Sequence, residues 1–111
     1  MNIGSLYQVK KWSWLLFPTK ETAATLRRHR VIAVAAGADN ENAAWYAARF
    51  SRLYNCNVTW FSPESFVVFL EEDGKFKKVL TSEGLIGWIC FVESYNEYFE
   101  EVKKNNPLTS P

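Results

Sequence analysis

The chain has 111 residues, a formal net charge of +1, 48% hydrophobic residues and 16% aromatic residues. This length fits one domain with one core, and the composition excludes a disordered chain. No apolar run approaches the ~20 residues that span a membrane, and the N-terminus lacks the order of a secretory signal. We therefore expect a cytoplasmic domain over residues 1–104 and a mobile tail over residues 105–111.

The small net charge hides an uneven distribution along the chain. Residues 1–30 carry six basic residues against Glu21, whereas residues 62–111 carry nine acidic residues against five basic ones. The two segments therefore have charges of about +5 and −4. In a compact domain such segments face each other or mix on the surface, and a basic face for nucleic acid is the alternative.

The cysteines and the histidine suggest no catalytic or metal site. Cys56 and Cys90 are expected to be buried free thiols, because no secretion signal supports a disulfide and neither belongs to a C-x-x-C pair. The one histidine, His29, lies in the polar run LRRHR, which does not favour a cysteine–histidine pair. One histidine also leaves too few ligands for zinc. We expect no catalytic residues, no metal and no cofactor.

The N-terminal segment predicts two strands and a short helix. Ser5 to Lys10 alternates and follows a glycine, and the aromatic run from Trp12 to Phe17 is a second strand that Pro18 ends. Thr19 can then cap a short helix, with Glu21 favourably placed in its first turn.

Residues 31–61 predict a strand, a helix and a strand. Val31 to Ala36 is apolar and β-branched, and Asp39 or Asn40 can cap the helix that follows. Apolar residues recur at helical spacing from Ala43 to Tyr54, and Asn55 can take the left-handed conformation that ends a helix. Val58 to Phe61 returns to strand. This unit is either a right-handed βαβ crossover or a helical insertion into an antiparallel barrel, and we favour the insertion.

The segment from residue 66 to residue 92 predicts a three-stranded antiparallel meander. Asp73-Gly74 is the pair that a type I′ hairpin turn requires, and Ser82 to Gly84 makes the second turn. The first strand is apolar on both faces, so we expect the inserted helix to cover the face that turns away from the core. Just before the meander, Ser62-Pro63-Glu64 predicts a tight helical turn.

The C-terminal part predicts a short helix. Ser94 and Glu97 have capping-box spacing. Tyr95, Tyr98, Phe99 and Val102 fall on one helical face, which is expected to complete the core.

The stretch TSEGLIGWICFVESYNEYF resembles the last part of a Src-homology-3-like or bacterial SH3-type small β-barrel. In that family a hairpin with G-x-x-G-W/Y-I precedes a one-turn helix that bears tyrosines and a final short strand, and SLYQVKKW would supply the first strand. Residues 19–57 are much longer than the loop that they replace, and no proline follows Ile89. The proline-peptide groove of the family is therefore not transferred. The matching residues are Gly84, Gly87, Trp88, Ile89, Tyr95 and Tyr98.

We therefore expect an α+β fold: a small antiparallel SH3-like barrel or meander, with an inserted helix at about residues 40–54 and a short C-terminal helix. The helical insertion covers about residues 19–57.

The favoured function is a non-catalytic protein-binding or assembly module, because tryptophan and tyrosine dominate interface energies. A small accessory or structural protein of a phage or bacterium would fit such a chain. No membrane partner is expected, and the sequence leaves the oligomeric state open. The candidate contact residues are Tyr7, Trp12, Trp14, Trp88, Tyr95 and Tyr98.

Nucleic acid is the alternative partner, because basic and aromatic residues are interleaved near the N-terminus, as they are in proteins that stack nucleobases on aromatic rings. In that case Trp12 and Trp14 would stack bases rather than pack in the core. The candidate phosphate contacts are Lys10, Lys11, Arg27, Arg28 and Arg30.

Overall fold

The computed structural model describes residues 2–27, 40–90 and 98–102. This part of the chain is a mixed α+β domain with a mainly antiparallel sheet. The strands are β1 (Leu6–Val9), β2 (Trp14–Leu16), β3 (Thr59–Phe61), β4 (Phe66–Asp73), β5 (Phe76–Thr81), β6 (Ile86–Cys90) and β7 (Phe99–Glu101). The helices are α1 (Lys20–Arg27) and α2 (Asn40–Leu53).

Five strands form one antiparallel sheet in the order β6-β5-β4-β1-β7. The predicted meander is confirmed as β4, β5 and β6, while residues 91 and 92 lie outside the described part. Strands β2 and β3 form a separate antiparallel pair. A bridge between Phe17 and Trp88 joins this pair to β6. The sheet is therefore extended beyond β6 by the two short strands.

The first turn of the meander lies one residue later than predicted. Asp73 pairs with Phe76 across the hairpin, so the two loop residues are Gly74 and Lys75. Gly74 has φ +60°, whereas neither Asp73 nor Lys75 has a positive φ. This is the φ pattern of a type II′ turn, and the predicted type I′ turn at Asp73-Gly74 is wrong because Asp73 still belongs to the strand. The second turn is confirmed, with Gly84 at φ +86°.

The connection before β4 is a β-turn and not the predicted helical turn. The amide of Ser65 donates to the carbonyl of Ser62 at 3.3 Å. Glu64 has φ +72°, and a positive φ at the third position of a turn that has proline at the second is the type II pattern. This conformation reverses the chain, whereas a helical turn would continue it.

The helix boundaries follow the predicted signals. The Thr22 amide donates to Thr19 Oγ1 at 3.1 Å, so Thr19 caps α1 as expected. Asn55 follows α2 with φ +50°, the left-handed conformation predicted for it. Among the described residues, neither helix is long and apolar enough to cross a membrane.

Two predicted features of the insertion fall on residues that the structure does not describe. The strand at Val31–Ala36 and the cap at Asp39 both lie there. The described part of the insertion has helices α1 and α2, and β3, which follows it, runs antiparallel to β2.

The C-terminal residues form a strand, and this corrects the predicted helical face. Val9 pairs with Phe99 and Tyr7 with Glu101, which places β7 on the edge of the sheet beside β1. Phe99 is buried and Glu100 exposed, the alternation of a strand with one face packed. Tyr98 to Val102 are therefore not helical. The capping box at Ser94 and Glu97 lies outside the described residues.

Two apolar clusters lie on opposite faces of the sheet. The inner cluster is centred on side chains that are almost fully buried, such as Phe69, Val79 and Ile89. The outer cluster combines Ala23 of α1 and Phe50 of α2 with partly buried aromatic residues of the sheet, including Phe76 and Trp88. The helix that packs against the meander is α1, which contacts β6, whereas α2 lies against β2 and β3. This corrects the expectation that the inserted helix at about residues 40–54 is the cover.

The sheet curls around the inner cluster. A register shift at Leu70 interrupts the β4–β5 ladder, and such bulges bend a strand and increase its twist. Gly87 lets β2 approach β6, since a Cβ there would lie 2.6 Å from both Leu16 Cγ and the Phe17 carbonyl oxygen. The described strands include no hydrogen-bonded pair that closes a barrel between β3 and β7.

Candidate functional site

The structure divides the predicted contact aromatics between core and surface. Tyr7 and Trp14 are buried in the inner cluster, which corrects their assignment to a partner-binding surface. Trp88 is half-buried against the outer cluster. Tyr95 lies outside the described residues. Trp12 and Tyr98 are brought together, and we call them, with Lys10, Lys11 and Glu100, the Trp12–Tyr98 surface.

Trp12 packs edge-to-face on Tyr98 and keeps much of its ring in solvent. The two ring centroids are 6.2 Å apart at an interplanar angle of 80°, and Trp12 is 43% exposed. On its other side Tyr98 contacts buried Trp14, with centroids 5.3 Å apart at 77°. Edge-to-face pairs are a favoured aromatic geometry. The core therefore supports Tyr98, which in turn supports Trp12.

Backbone hydrogen bonds fix the segment that leads to Trp12. The Val9 amide donates to the Ser65 carbonyl at 2.9 Å, and the Val9 carbonyl accepts from the Glu64 amide at 2.7 Å. The Lys10 amide donates to the Tyr98 carbonyl at 2.7 Å. These bonds tie the end of β1 to both neighbouring connections, so the position of Trp12 is set by the fold rather than by the loop alone.

The backbone of Trp12 is strained. Its φ is +74°, a conformation that a bulky side chain disfavours because its Cβ approaches the carbonyl oxygen. Beyond Trp12, the Trp14 indole Nε1 donates to the Lys11 carbonyl at 3.2 Å and closes the loop. Strained residues persist only where the surroundings hold them, and they concentrate at functional sites. The fold therefore presents this ring at an energetic cost.

The charges around Trp12 have both signs. Lys10 Nζ lies 3.5 Å from a carboxylate oxygen of Glu100, and both side chains are largely solvent-exposed. Lys11 and Glu64 are exposed as well. Of the arginines predicted to contact phosphate, Arg27 ends α1 but its side chain is not described, and Arg28 and Arg30 lie outside the described residues. The structure therefore brings Lys10 and Lys11 to the tryptophan together with an acidic neighbour.

Sequence reasoning missed a second exposed tryptophan. Trp45 lies on the solvent face of α2, with the Arg49 guanidinium 5.4 Å from its ring centroid and Tyr46 edge-on at 4.8 Å. The spacing of Trp45 and Arg49 by four residues, opposite the apolar stripe of the same helix, is the signal that would have placed them on the surface.

Two open clefts flank the helices. One of about 510 Å³ lies between α1 and the β4–β5 hairpin, where the Lys20 ammonium pairs with the Asp73 carboxylate. That hydrogen bond and the attraction of Asp73 raise the pKa of Lys20. The other, about 490 Å³, lies between α2 and β3 and is lined by Ala44, Ala48 and neighbouring residues.

Both cysteines carry free thiols, as predicted, but of the two only Cys90 is buried. Cys56 is half-buried against the outer cluster, and burial raises its pKa. A raised pKa lowers the thiolate fraction at neutral pH, and the thiolate is the reactive form. The Cys56 thiol is thus expected to be less reactive than an ordinary exposed thiol.

No protein-family model, curated protein or solved structure matches the chain.

Proposed function

We propose that the protein is a small non-catalytic protein-binding or assembly module that uses the Trp12–Tyr98 surface. The observation that carries this proposal is that Trp12 has a strained backbone and an exposed ring that packs against Tyr98. Tryptophan and tyrosine are the residue types most enriched at the energetic centres of protein interfaces. A rigid aromatic ring also loses little conformational entropy when a partner covers it.

Several features support an SH3-like barrel as the framework of this module. The family resemblance implies a final short strand, and β7 occupies that position beside β1. Gly87 and Trp88 of the resembling motif lie on the last strand of the meander. Strands β2 and β3 flank the insertion and extend the curled sheet. We therefore propose that these strands form an SH3-like framework.

The charge pattern favours a protein partner over nucleic acid. Lys10 is already paired with Glu100 at the edge of the surface, which reduces the positive potential that a phosphate backbone would meet. The exposed Lys11 next to Trp12 is the observation that favours nucleic acid, so this partner is kept as the second candidate. A protein surface with an apolar pocket and mixed charges at its rim fits the same residues better.

The proposal is tested by selecting binders that depend on Trp12. A displayed library of 16-residue peptides is selected on the wild-type protein, and the affinity of the enriched peptides is measured by calorimetry. Trp12→Ala is expected to weaken binding by at least about tenfold, the loss typical of a central interface residue. Trp45→Ala removes an equally large exposed ring elsewhere and is the matched control. Enriched peptides that bind Trp12→Ala as tightly as the wild type would contradict the proposed surface.

A further inference from the structure

Among the residues that the structure describes, helices cover the outer face of the five-stranded sheet at one end only. At that end Phe76 and Trp88 lie under the helices in the outer cluster. Strand alternation places Leu80 on the same face as Phe76, and Ile86 on the same face as Trp88. Ile86 is 57% exposed, so the helical cover does not reach it.

Apolar residues line up across all five strands at this uncovered end. Leu6 pairs with Val68, Val68 with Leu80, and Leu80 with Ile86. On the far side, the Val102 amide donates to the Leu6 carbonyl at 2.8 Å, which places Val102 next in line. We call these five residues the apolar row.

The apolar row forms a continuous patch rather than scattered exposed residues. Leu6 is 41% exposed, and Val102 is similarly exposed at the end of the row. Phe66, on the same face of β4, adds further exposed apolar surface. The largest contiguous apolar patch on a monomer often has a function in binding.

The rim of this face carries paired charges of opposite sign. Toward one end of the strands Lys10 lies beside Glu100, 3.5 Å apart. Toward the other end Lys78 lies 3.3 Å from Glu71. A face with both signs at its rim can meet an identical face without net repulsion, whereas a highly charged partner would gain little from it. The row itself is uncharged.

We propose that the apolar row is the interface between two copies of this chain in a reversible dimer. The row is centred on Val68 of β4, the middle strand, with two apolar residues on each side of it. A two-fold axis along β4 would therefore place Leu6 over Leu80 of the second copy and Val102 over Ile86, which is the self-complementarity that an isologous interface needs. Each face would then lose its exposed apolar surface to the other.

The size of the face sets the strength of this dimer. Five strands about 4.8 Å apart make a row about 24 Å wide, and the row together with Phe66 extends about 13 Å along the strands, so the patch covers roughly 300 Å². Standard stable interfaces bury about 800 Å² on each partner. The proposed dimer is therefore weak, with a dissociation constant on the order of 10 µM.

Sedimentation equilibrium of the full chain over a range of concentrations tests the proposal. The wild type is expected to shift from the 12.8 kDa monomer to twice that mass as concentration rises. Leu6→Glu and Ile86→Glu each place a charge in the row and are expected to weaken the dimer by at least about tenfold, since a buried unpaired charge is costly. Leu53→Glu on α2 makes the same change at a residue that is 62% exposed and should leave the dimer intact.

Three outcomes would overturn the proposal. The first is a wild type that stays monomeric up to about 500 µM, well above the expected dissociation constant. The second is a dimer that Leu53→Glu disrupts and the two row variants do not. The third is a monomer that dimerises only after residues 103–111 are removed, because the occupant of the row would then be that segment of the same chain. Circular dichroism confirms that each variant folds, and Trp12→Ala is expected to dimerise normally.

Discussion

Trp12 combines an exposed ring with a strained backbone, and strained residues cluster at functional sites. A glycine at this position would adopt φ +74° without cost. A tryptophan at this position is explained if its ring binds a partner. The contact with Tyr98 offsets part of the energetic cost of this backbone conformation. Contacts with a bound partner would offset more of this cost.

The strain at Trp12 predicts an unusual order of stabilities. Trp12→Gly should be more stable than Trp12→Ala by about 1 kcal/mol, because both lack the ring and only glycine tolerates the left-handed backbone. At Trp45, in the middle of α2, the order should be reversed by a similar amount because glycine is a poor helix former. Urea denaturation of the four variants measures both differences. If Trp12→Ala is at least as stable as Trp12→Gly, Trp12 carries no backbone strain.

Sequence alone could not separate Trp12 from Trp14. In a strand from Trp12 to Phe17 both rings would share one face, together with Leu16. Trp14 and Leu16 are indeed buried on one face, but β2 begins only at Trp14. Trp12 leaves that face because its φ is positive, and no residue pattern signals a positive φ at a tryptophan.

At the scale of elements, the meander was predictable because its signals are local. Alternating apolar runs and a glycine at each turn identified β4, β5 and β6. The exact turn was less accessible, since Asp73-Gly74 and Gly74-Lys75 both fit between the strands. The Asp73 side chain reaches Lys20 of α1, a long-range contact that helps to place Asp73 within the strand.

The type II′ assignment predicts different costs at the two loop positions. Gly74→Val should lower the free energy of unfolding by about 1 to 2 kcal/mol, because a β-branched residue is forced to a positive φ. A Cβ at Gly74 meets no atom within 4 Å, so the cost is one of backbone conformation. Lys75→Val, at a negative φ, should change stability by less than about 0.5 kcal/mol. Equal midpoints for the two variants in urea would contradict this turn.

The C-terminal strand shows where local pattern fails. Tyr98, Phe99 and Val102 match helical spacing, yet the segment pairs with β1. The open edge of β1 and the buried site for Phe99 beside Trp14 and Phe69 decide the outcome, and neither is visible in the residues themselves. Strand preference depends on such packing more than on intrinsic propensity.

At the scale of the molecule, the charge asymmetry of the sequence is partly neutralised by the fold. Lys10 from the basic N-terminal segment meets Glu100 from the acidic C-terminal one, and Lys20 meets Asp73. The expectation that the two segments face each other is met at these two contacts. The apolar row could not be predicted, because it needs the register of five strands.

This neutralisation predicts only weak, non-specific binding to nucleic acid. A labelled single-stranded nucleic acid of 30 nucleotides should bind with a dissociation constant no tighter than about 10⁻⁵ M near physiological salt. This is the range of ordinary non-specific contacts. Fluorescence anisotropy at two salt concentrations measures it. Sub-micromolar binding that Arg27→Glu with Arg28→Glu abolishes would make nucleic acid the leading partner. Arg49→Glu with Arg52→Glu makes the same change of charge on α2 and is the control.

The pairing of β1 also has a kinetic consequence. Leu6 pairs with Val68 and Tyr7 with Glu101, so one short strand near the start of the chain joins segments from its middle and its end. The β4–β5–β6 meander can form from local contacts, but the inner cluster cannot close until β1 has been brought across the whole insertion. The long loop between β1 and β4 must close before the contacts of β1 can stabilise the fold. Folding is therefore expected in the slow, millisecond-to-second range of β-rich domains. During that interval the edge of β4 that β1 later covers stays open to other chains.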